Sequence, residues 1–525
     1  LGNFWDNPMT ASIEDRINRI TAWTAPGFED LLDALLAQGR PLYVVGGNVR
    51  DFLLGEDDAI NDLDLAMDAP VLEAARQAAD AIGWAYYPLD AQRDVARLVQ
   101  MEDGSERRVC DIAALRGALV DDLRTRDFTV NALAIVLAPG EAPRLLDVVG
   151  GVDDLRAGRL RPFAEENLDA DPVRLLRAVR FAHKFDLTID TALAQGIRRR
   201  AETLHSVSPE RQRDELWKIL GLTSPADALH TMHAFDLIAP VLPELTQTVG
   251  VTQTPPHHLD VFGHTLLAMD YAAALRDWLH EREDRLDPLL GEILARHGAA
   301  LRRHFAEPLS SGRSRADWLV WHALCHDLGK PATRSEEIDA DGNMRTRYFD
   351  HERVGAAMTV DRLTALRFSR REIQLAQSVV DAHMRPHHLH VSFEDEVIGR
   401  RAAFRFFRDT ASGTNGEHTG VDVLLVALAD YQATGTTRGP GWPAYLAHAD
   451  QLLSFAFQQE TQVGPPLLNG SRIMSAFDLQ PGPIIGHVLG QVQEAQAAGE
   501  IATPEEALDL ARRVLAQPYT PESDQ

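Results

Sequence analysis

Residues 43–55, YVVGGNVRDFLLG, and residues 61–68, NDLDLAMD, decide the fold. The first is an apolar run that ends in Gly46-Gly47 and then opens a helix. The second alternates acidic and apolar residues. Successive side chains of a strand point to opposite faces, so Asp62 and Asp64 share one face and Leu63 and Leu65 the other. Two carboxylates on one face offer the hard oxygen ligands that Mg²⁺ takes while leaving positions for phosphate oxygens. A pair of such ions steadies both the attacking and leaving oxygens of an in-line displacement. Asp111, in RRVCDIA, is the acid placed to join them from a neighbouring strand. Gly46 and Gly47 let backbone amides come close to a triphosphate, and Arg50 is expected to contact its oxygens.

Working outward, residues 28–39 predict an amphipathic helix and PLYVV (41–45) a short buried strand. DVARLVQM (94–101) and RRVCDIAAL (107–115) predict strands joined by a turn at Asp103-Gly104. Together these make a small mixed sheet with few helices. Beyond Arg124 the pattern becomes helical, in PVRLLRAVRFAHKF (172–185), ALAQGIRRRAETL (192–204) and PERQRDELWKILGL (209–222). Turn-rich seams fall at Gly150-Gly151, at TQTPPHH around Pro255, at 310–314 and at TQVGPP around Pro465.

At 525 residues the chain exceeds what one core serves, which predicts two to four domains. No apolar stretch approaches the roughly 18 to 20 residues that span a bilayer. The two cysteines, Cys110 and Cys325, make no disulfide framework, and no basic-then-apolar leader is seen. A soluble, cytoplasmic protein is expected. A net charge of −26 speaks against general attraction to nucleic acid, but residues 155–220 carry 13 Lys and Arg against 10 Asp and Glu. That segment is the candidate RNA-facing surface, with salt-bridged solvent-facing helices as the plainer reading.

An alternating Asp pair alone is common on exposed strands. Four motifs in order are far more specific: GGNVRD (46–51), DLDL (62–65), RTRDFTVNALA (124–134) and DPVRLLRAVRFA (171–182). They resemble the class II tRNA nucleotidyltransferase and bacterial poly(A) polymerase family of the polymerase β superfamily. The resemblance implies an α+β chain: a polymerase-β-like head with a small mixed sheet, then an all-α neck and body. It implies that Asp62, Asp64 and Asp111 are the catalytic acids, with two Mg²⁺ held by Asp62 and Asp64. Gly46 and Gly47 are its glycine turn, and Arg126, Asp127 and Asn131 its sugar and phosphate contacts. Thr125 stands where many relatives have a second basic residue. Asp171 and Arg174, expected at i and i+3 on one helix face, select the base, with Arg177 and Arg180 further along as nucleotide contacts. A carboxylate that accepts from an exocyclic amine beside an arginine that donates to a ring acceptor suits cytosine and adenine. Uracil and guanine would leave buried groups unpaired.

His326-Asp327 in WHALCHDLGKP, with His264 upstream and Asp430 downstream, resembles the HD phosphohydrolase domain, which implies a divalent ion such as Mn²⁺, Ni²⁺ or Mg²⁺ on those four residues. His351 and His383 are expected at a second metal position, and Lys330 at a phosphate. The implied segments are a head at 25–150, a helical neck and RNA-binding region at 151–250, an HD-type domain at 251–460 and a C-terminal helical RNA-binding segment at 461–525. Only residues 112–126 separate Asp111 from Asp127, so the loop typical of relatives that build all of CCA is missing. This points to addition of two cytidines to the 3′ end of tRNA from CTP, with ATP the alternative nucleotide, and no membrane or DNA partner. Full CCA synthesis or poly(A) addition, and an RNA-binding metal phosphohydrolase with a silent head, are the competing readings.

Overall fold

The computed structural model describes residues 13–56, 60–102, 105–310, 312–338, 342, 344–393, 396–411, 419–435, 441–462 and 466–517. The turn expected at Asp103-Gly104 and most of TQVGPP lie outside them. The chain divides into two compact units: Leu1–Val207 with Ala234–Leu237, and Ser208–His233 with Ile238–Gln525. The boundary therefore falls inside the 151–250 segment that the sequence reading sets apart.

The first unit holds a seven-stranded sheet. Its strands are β1 (Leu42–Val45), β2 (Asp62–Met67), β3 (Ala85–Asp90), β4 (Val95–Glu102), β5 (Ser105–Ala114), β6 (Leu133–Leu137) and β7 (Arg144–Asp147), in the order β3-β4-β5-β2-β1-β6-β7. β2 runs parallel to β5 and antiparallel to β1. The helices introduced by the sequence are α1 (Glu29–Leu36), α2 (Gly47–Leu54), α3 (Val71–Ile82), α4 (Leu119–Arg124), α5 (Glu166–Ala170) and α6 (Arg174–Lys184).

Three points differ from the expectation. Helical character does not set in at Arg124: Leu133–Leu137 and Arg144–Asp147 return to the sheet, and every residue of LAIVL is buried. A short, wholly apolar run has no period to separate strand from helix. Gly150-Gly151 is a packed joint within the first unit. A Cβ on Gly151 would sit 2.2 Å from the Thr129 carbonyl oxygen, and the Asp147 carboxylate accepts from the amides of Val149, Gly150, Gly151 and Val152. Finally, Asp171 and Arg174 do not share a helix face. Asp171 is the extended C-cap of α5 (φ −152°, ψ 94°) and Arg174 begins α6. Pro172 is the cause, since a following proline disfavours the helical conformation at the residue before it.

The second unit is almost wholly helical. Its frame is α7 (Val261–Leu279), α8 (Arg315–Cys325), α9 (His351–Ala365), α10 (Arg370–Ala382), α11 (Arg385–Phe393), α12 (Arg400–Thr410) and α13 (Thr419–Ala433). α7, α8 and α13 are hydrophobic nearly all round and bury nearly every residue, as core helices do. Near the C-terminus α14 (Gly470–Phe477), α15 (Pro483–Ala498) and α16 (Pro504–Leu515) enclose a small apolar cluster around Ile473, Val488, Val492 and Ala511. No helix among the described residues is long and apolar enough to cross a membrane.

α8 carries a buried histidine, His322, one turn before His326, and its ring packs 5.8 Å from that of Trp318. Neither ring nitrogen has a hydrogen-bond partner. Burial pulls its pKa down to about 4, against Asp422, which favours the charged form. The folded chain thus resists a proton that the unfolded chain takes up below about pH 6.5. His322 should therefore cost stability as the pH falls from 6.5 towards 4, at about 1.4 kcal/mol per pH unit, and cost nothing above 6.5. Melting temperatures at pH 7.5 and 5.0 check this: the gap between them should narrow in His322→Phe, and an unchanged gap would assign the loss to other groups.

Candidate active sites

In the first unit the parallel register sets Asp64 opposite Asp111 and Asp62 opposite Val109. Asp62 and Asp64 are both exposed on one face of β2, while Leu63 and Leu65 are buried. Burial, then the neighbouring Asp111, raises the Asp64 pKa. A carboxylate crowded by others is what a bound cation relieves, and an all-oxygen donor set with an open side fits Mg²⁺. Asp111 is not free for this alone, because Arg97 grips both its oxygens at 2.8 Å.

The Gly46 turn is fixed by geometry. Gly46 has φ +79°, and a side chain there would meet Arg126 NH1 at 3.1 Å and Asp64 Oδ2 at 3.8 Å. Asn48, which the sequence reading passed over, clasps the acidic strand: its amide donates to the Asp62 carbonyl at 2.8 Å and its Oδ1 accepts from the Asp64 amide at 3.2 Å. The signal was present in GGNVRD, where a polar side chain follows the turn.

Arg50, expected at the triphosphate, is instead a buried tie. Its guanidinium donates to Asp51 and to Asn131 Oδ1 and lies 4.1 Å over the Phe185 ring. Asn131 in turn donates to Asp127 Oδ1 at 2.9 Å, and Arg177 holds Asp127 Oδ2 at 2.7–2.8 Å. Burial pushes the Asp127 pKa up, but Arg177 and the bonds from Asn131 and Phe128 outweigh it and hold the carboxyl below its ordinary value. Arg126 reaches Asp122 at 3.3 Å beside the glycine turn. Arg174, expected to read the base, donates to the carbonyls of Asn167 and Thr125, both at 2.8 Å, which anchors it to the segment that carries Arg126. Arg180 lies 4.2 Å over Phe181. Two arginines of the basic 155–220 segment are paired on the surface, Arg199 with Glu165 and Arg200 with Asp169.

In the second unit all the histidines and aspartates expected at the His-Asp site converge. His264, His326, Asp327, Asp430, His351 and His383 are buried together. The ligand atoms of His264, His326 and Asp327 lie within 4.8 Å of one another, as do those of Asp327, His351 and His383. Asp327 belongs to both sets, with Oδ2 3.1 Å from His326 and Oδ1 3.5 Å from His351.

The tautomers follow from the backbone. Nδ1 of His326, His351 and His383 faces the carbonyl three residues earlier at 2.7, 2.8 and 2.6 Å, and a carbonyl only accepts. Each Nδ1 therefore carries a proton, and each ring turns its Nε2 inward. The Nε2 atoms of His351 and His383 stand 3.2 Å apart, and that of His326 has no hydrogen-bond partner. Inward Nε2 atoms around a carboxylate fit a divalent cation. Gly329 brings the doublet this close: a Cβ there would meet the His351 carbonyl oxygen at 2.1 Å.

Two histidines were missed. His257, in the stretch read as a seam, makes a third such group with His264 and Asp430, and burial lowers its pKa to about 4. His387 approaches Asp430 Oδ2 at 2.9 Å. A PHH run beside a turn gives no period to place it. Lys330, expected at a phosphate, donates to Asp327 Oδ2 and Gln253 Oε1, both at 2.7 Å.

Comparison with known proteins agrees with a head and an HD-type domain in one chain. Residues 42–161 match the poly A polymerase head domain, 186–248 the probable RNA and SrmB-binding site of polymerase A, and 261–435 the HD domain. An A-adding tRNA nucleotidyltransferase of Deinococcus radiodurans is 34% identical over 90% of this chain and 94% of its own. A CC-adding tRNA nucleotidyltransferase of Thermus thermophilus is 31% identical over 89% of this chain and 92% of its own. A solved CCA-adding enzyme in its apo form shares the fold, with a TM-score of 0.59 at 20% identity over 97% of this chain and 98% of its own. The chain belongs to the tRNA nucleotidyltransferase and poly(A) polymerase family, and is an enzyme of that family carrying an HD domain.

Asp62→Ala and Asp64→Ala should each lower CTP incorporation into a trimmed tRNA by at least a thousandfold without shifting the melting temperature, since both side chains are exposed. Activity within tenfold of wild type would remove these two acids from the catalytic centre.

Proposed function

We propose that the first unit adds cytidines to the 3′ end of tRNA, the 3′-hydroxyl attacking the α-phosphate of CTP and pyrophosphate leaving. The short Asp111-to-Asp127 connection carries this reading. Of its fifteen residues, Ile112–Ala114 finish β5 and Leu119–Arg124 form α4, which leaves six outside regular structure and little chain for a mobile loop. Mg²⁺ on Asp62 and Asp64, with Asp111 beside them, would lower the pKa of the attacking hydroxyl and offset charge on the phosphate. Gly46 allows the triphosphate close to the backbone, and Arg126 stands next to it. Asp127, held ionised, and Asn131 meet the sugar. Asp171 and Arg174 flank the Pro172 turn and read the amine and ring acceptor of the base. Arg50 steadies Asn131 from behind.

Terminal adenosine addition is the second reading, favoured by the 34% identity to an A-adding enzyme. Purified protein with tRNA lacking its CCA end, tRNA ending in CC, and CTP or ATP separates the two. Two cytidines added from CTP, and no AMP added to the CC end, are expected. Efficient AMP addition to the CC end would overturn the CC-only reading.

The second unit is proposed to hydrolyse phosphate esters at RNA 3′ ends, with 2′,3′-cyclic phosphate as the substrate group. The ions it binds would lie on His264, His326, Asp327 and Asp430, and on Asp327, His351 and His383, and would supply an ionised water at neutral pH. Lys330 holds Asp327 in orientation, and His257 and His387 close the Asp430 side. Opening a cyclic phosphate breaks one phosphorus–oxygen ester bond as water adds, leaving a monoester. His326→Ala should lose bound divalent metal by elemental analysis and lose phosphodiesterase activity while CTP addition continues. A wild-type protein with no hydrolysis under Mn²⁺, Ni²⁺ or Mg²⁺ would make the cluster structural.

A further inference from the structure

A second cavity of the helical unit, of about 630 Å³, lies beside the His-Asp cluster and contains none of its ligands. Its wall is made by the chain neighbours of those ligands: Glu352 follows His351, Met384 follows His383, and His388 follows His387. Along α11 the residues that face it are Arg385, His388, Leu389 and Ser392, the i, i+3, i+4, i+7 stripe of one helix face. His387 faces the other way, to Asp430. One helix, about 10 Å across with its side chains, thus separates the cavity from the cluster.

The lining has a particular chemistry. Arg353 on α9, Arg385 on α11 and Arg405 on α12 converge on it. Their side chains are 76%, 46% and 55% exposed. Among the described residues each has only a distant carboxylate: Arg353 to Asp350 at 3.7 Å, Arg385 to Asp409 at 3.5 Å and Arg405 to Glu494 at 3.8 Å. The tight arginine pairs of this unit, such as Arg362 with Glu244 at 2.8 Å, look quite different. α12 has four arginines and one acid, Asp409, in a chain of net charge −26. An open arginine set is a phosphate binder. A purely basic wall would suit bare phosphate backbone, but this one also offers carboxylates and the half-buried Phe393 ring. Carboxylate beside guanidinium meets base edges, and an aromatic ring stacks on a base face, which is how single strands are held.

We propose that this cavity holds the last nucleotides of a single-stranded RNA 3′ end and so presents it to the His-Asp cluster. The proposal extends the phosphohydrolase reading, naming RNA strands and not free nucleotides as the substrate. Arg353 and Arg405 take phosphates, Phe393 stacks a base, and the Arg385–Asp409 pair reads its edge.

Photo-crosslinking tests it on the full chain without added metal, so the result stands whether or not the cluster hydrolyses anything. The probe is a 12-nucleotide single-stranded RNA with 4-thiouridine as its penultimate residue. In wild type the crosslink should map to residues 385–409 by mass spectrometry. It should fall at least fivefold in R353E/R405E and persist in R353K/R405K, which also controls for folding. CTP addition to tRNA should be unchanged in both variants. Crosslinks that map only elsewhere, or that ignore the charge reversal, overturn the proposal. So does displacement by an excess of 2′,3′-cyclic CMP alone, which would make the cavity a mononucleotide site.

Discussion

The parallel pairing of β2 with β5 is the constraint on which the transferase head depends. It places Asp64 directly opposite Asp111 and Asp62 one step along the same face. Negative charges at strand spacing repel one another, and the hydration lost around the Asp64 carboxyl adds to the cost. The surroundings answer it with cations that stay at the edge: Arg97 on Asp111, and Arg126 at the glycine turn. None of them covers the exposed face of Asp62 and Asp64, so the remaining charge stands open there. The rest of the head can be seen as holding that arrangement: β1 on one side, Asn48 along the strand, and the glycine turn above it.

The helical unit solves the opposite problem with the same economy. Its cluster is deeply buried, where a charge without a partner is expensive. Three backbone carbonyls fix three imidazole tautomers, Lys330, itself held by Gln253, fixes Asp327, and the Gly329 contact with His351 sets the distance between helices. Arg315 of α8 and Asp422 of α13 form a further network with His304, with the Asp422 pKa held down to about 2. His264 and Asp430 sit within α7 and α13, and His326 and Asp327 directly follow α8, so core helices carry four of the six cluster residues.

Much of this was legible in the sequence, for reasons that can be named. A strand period of two puts Asp62 and Asp64 on one face whatever the tertiary context, and the strand-like run RRVCDIA supplies Asp111. The six cluster residues in the helical unit were identified by resemblance and converge as it implied. What escaped had no local signal. Leu133–Leu137 is apolar throughout, so period could not assign it. Asp171 and Arg174 looked helical by spacing until Pro172 broke the helix between them. His257 and His387 lie next to prolines and become neighbours of Asp430 only through packing across more than forty and more than one hundred and seventy residues. Arg50 was aimed at substrate because arginines near glycine turns often are, and only the fold shows the Phe185 ring beneath it.

That last residue changes how the head's motifs should be counted. Arg50 comes from the glycine turn, Asn131 and Asp127 from the central motif, Arg177 from the helix that follows Arg174, and bonds run through all four without a break. Residues joined in one network do not contribute independently, and changes within it do not sum. Motifs that read as separate signatures along the chain behave here as one mechanical part. A substitution tolerated at one of them sets the terms for what the other three can become.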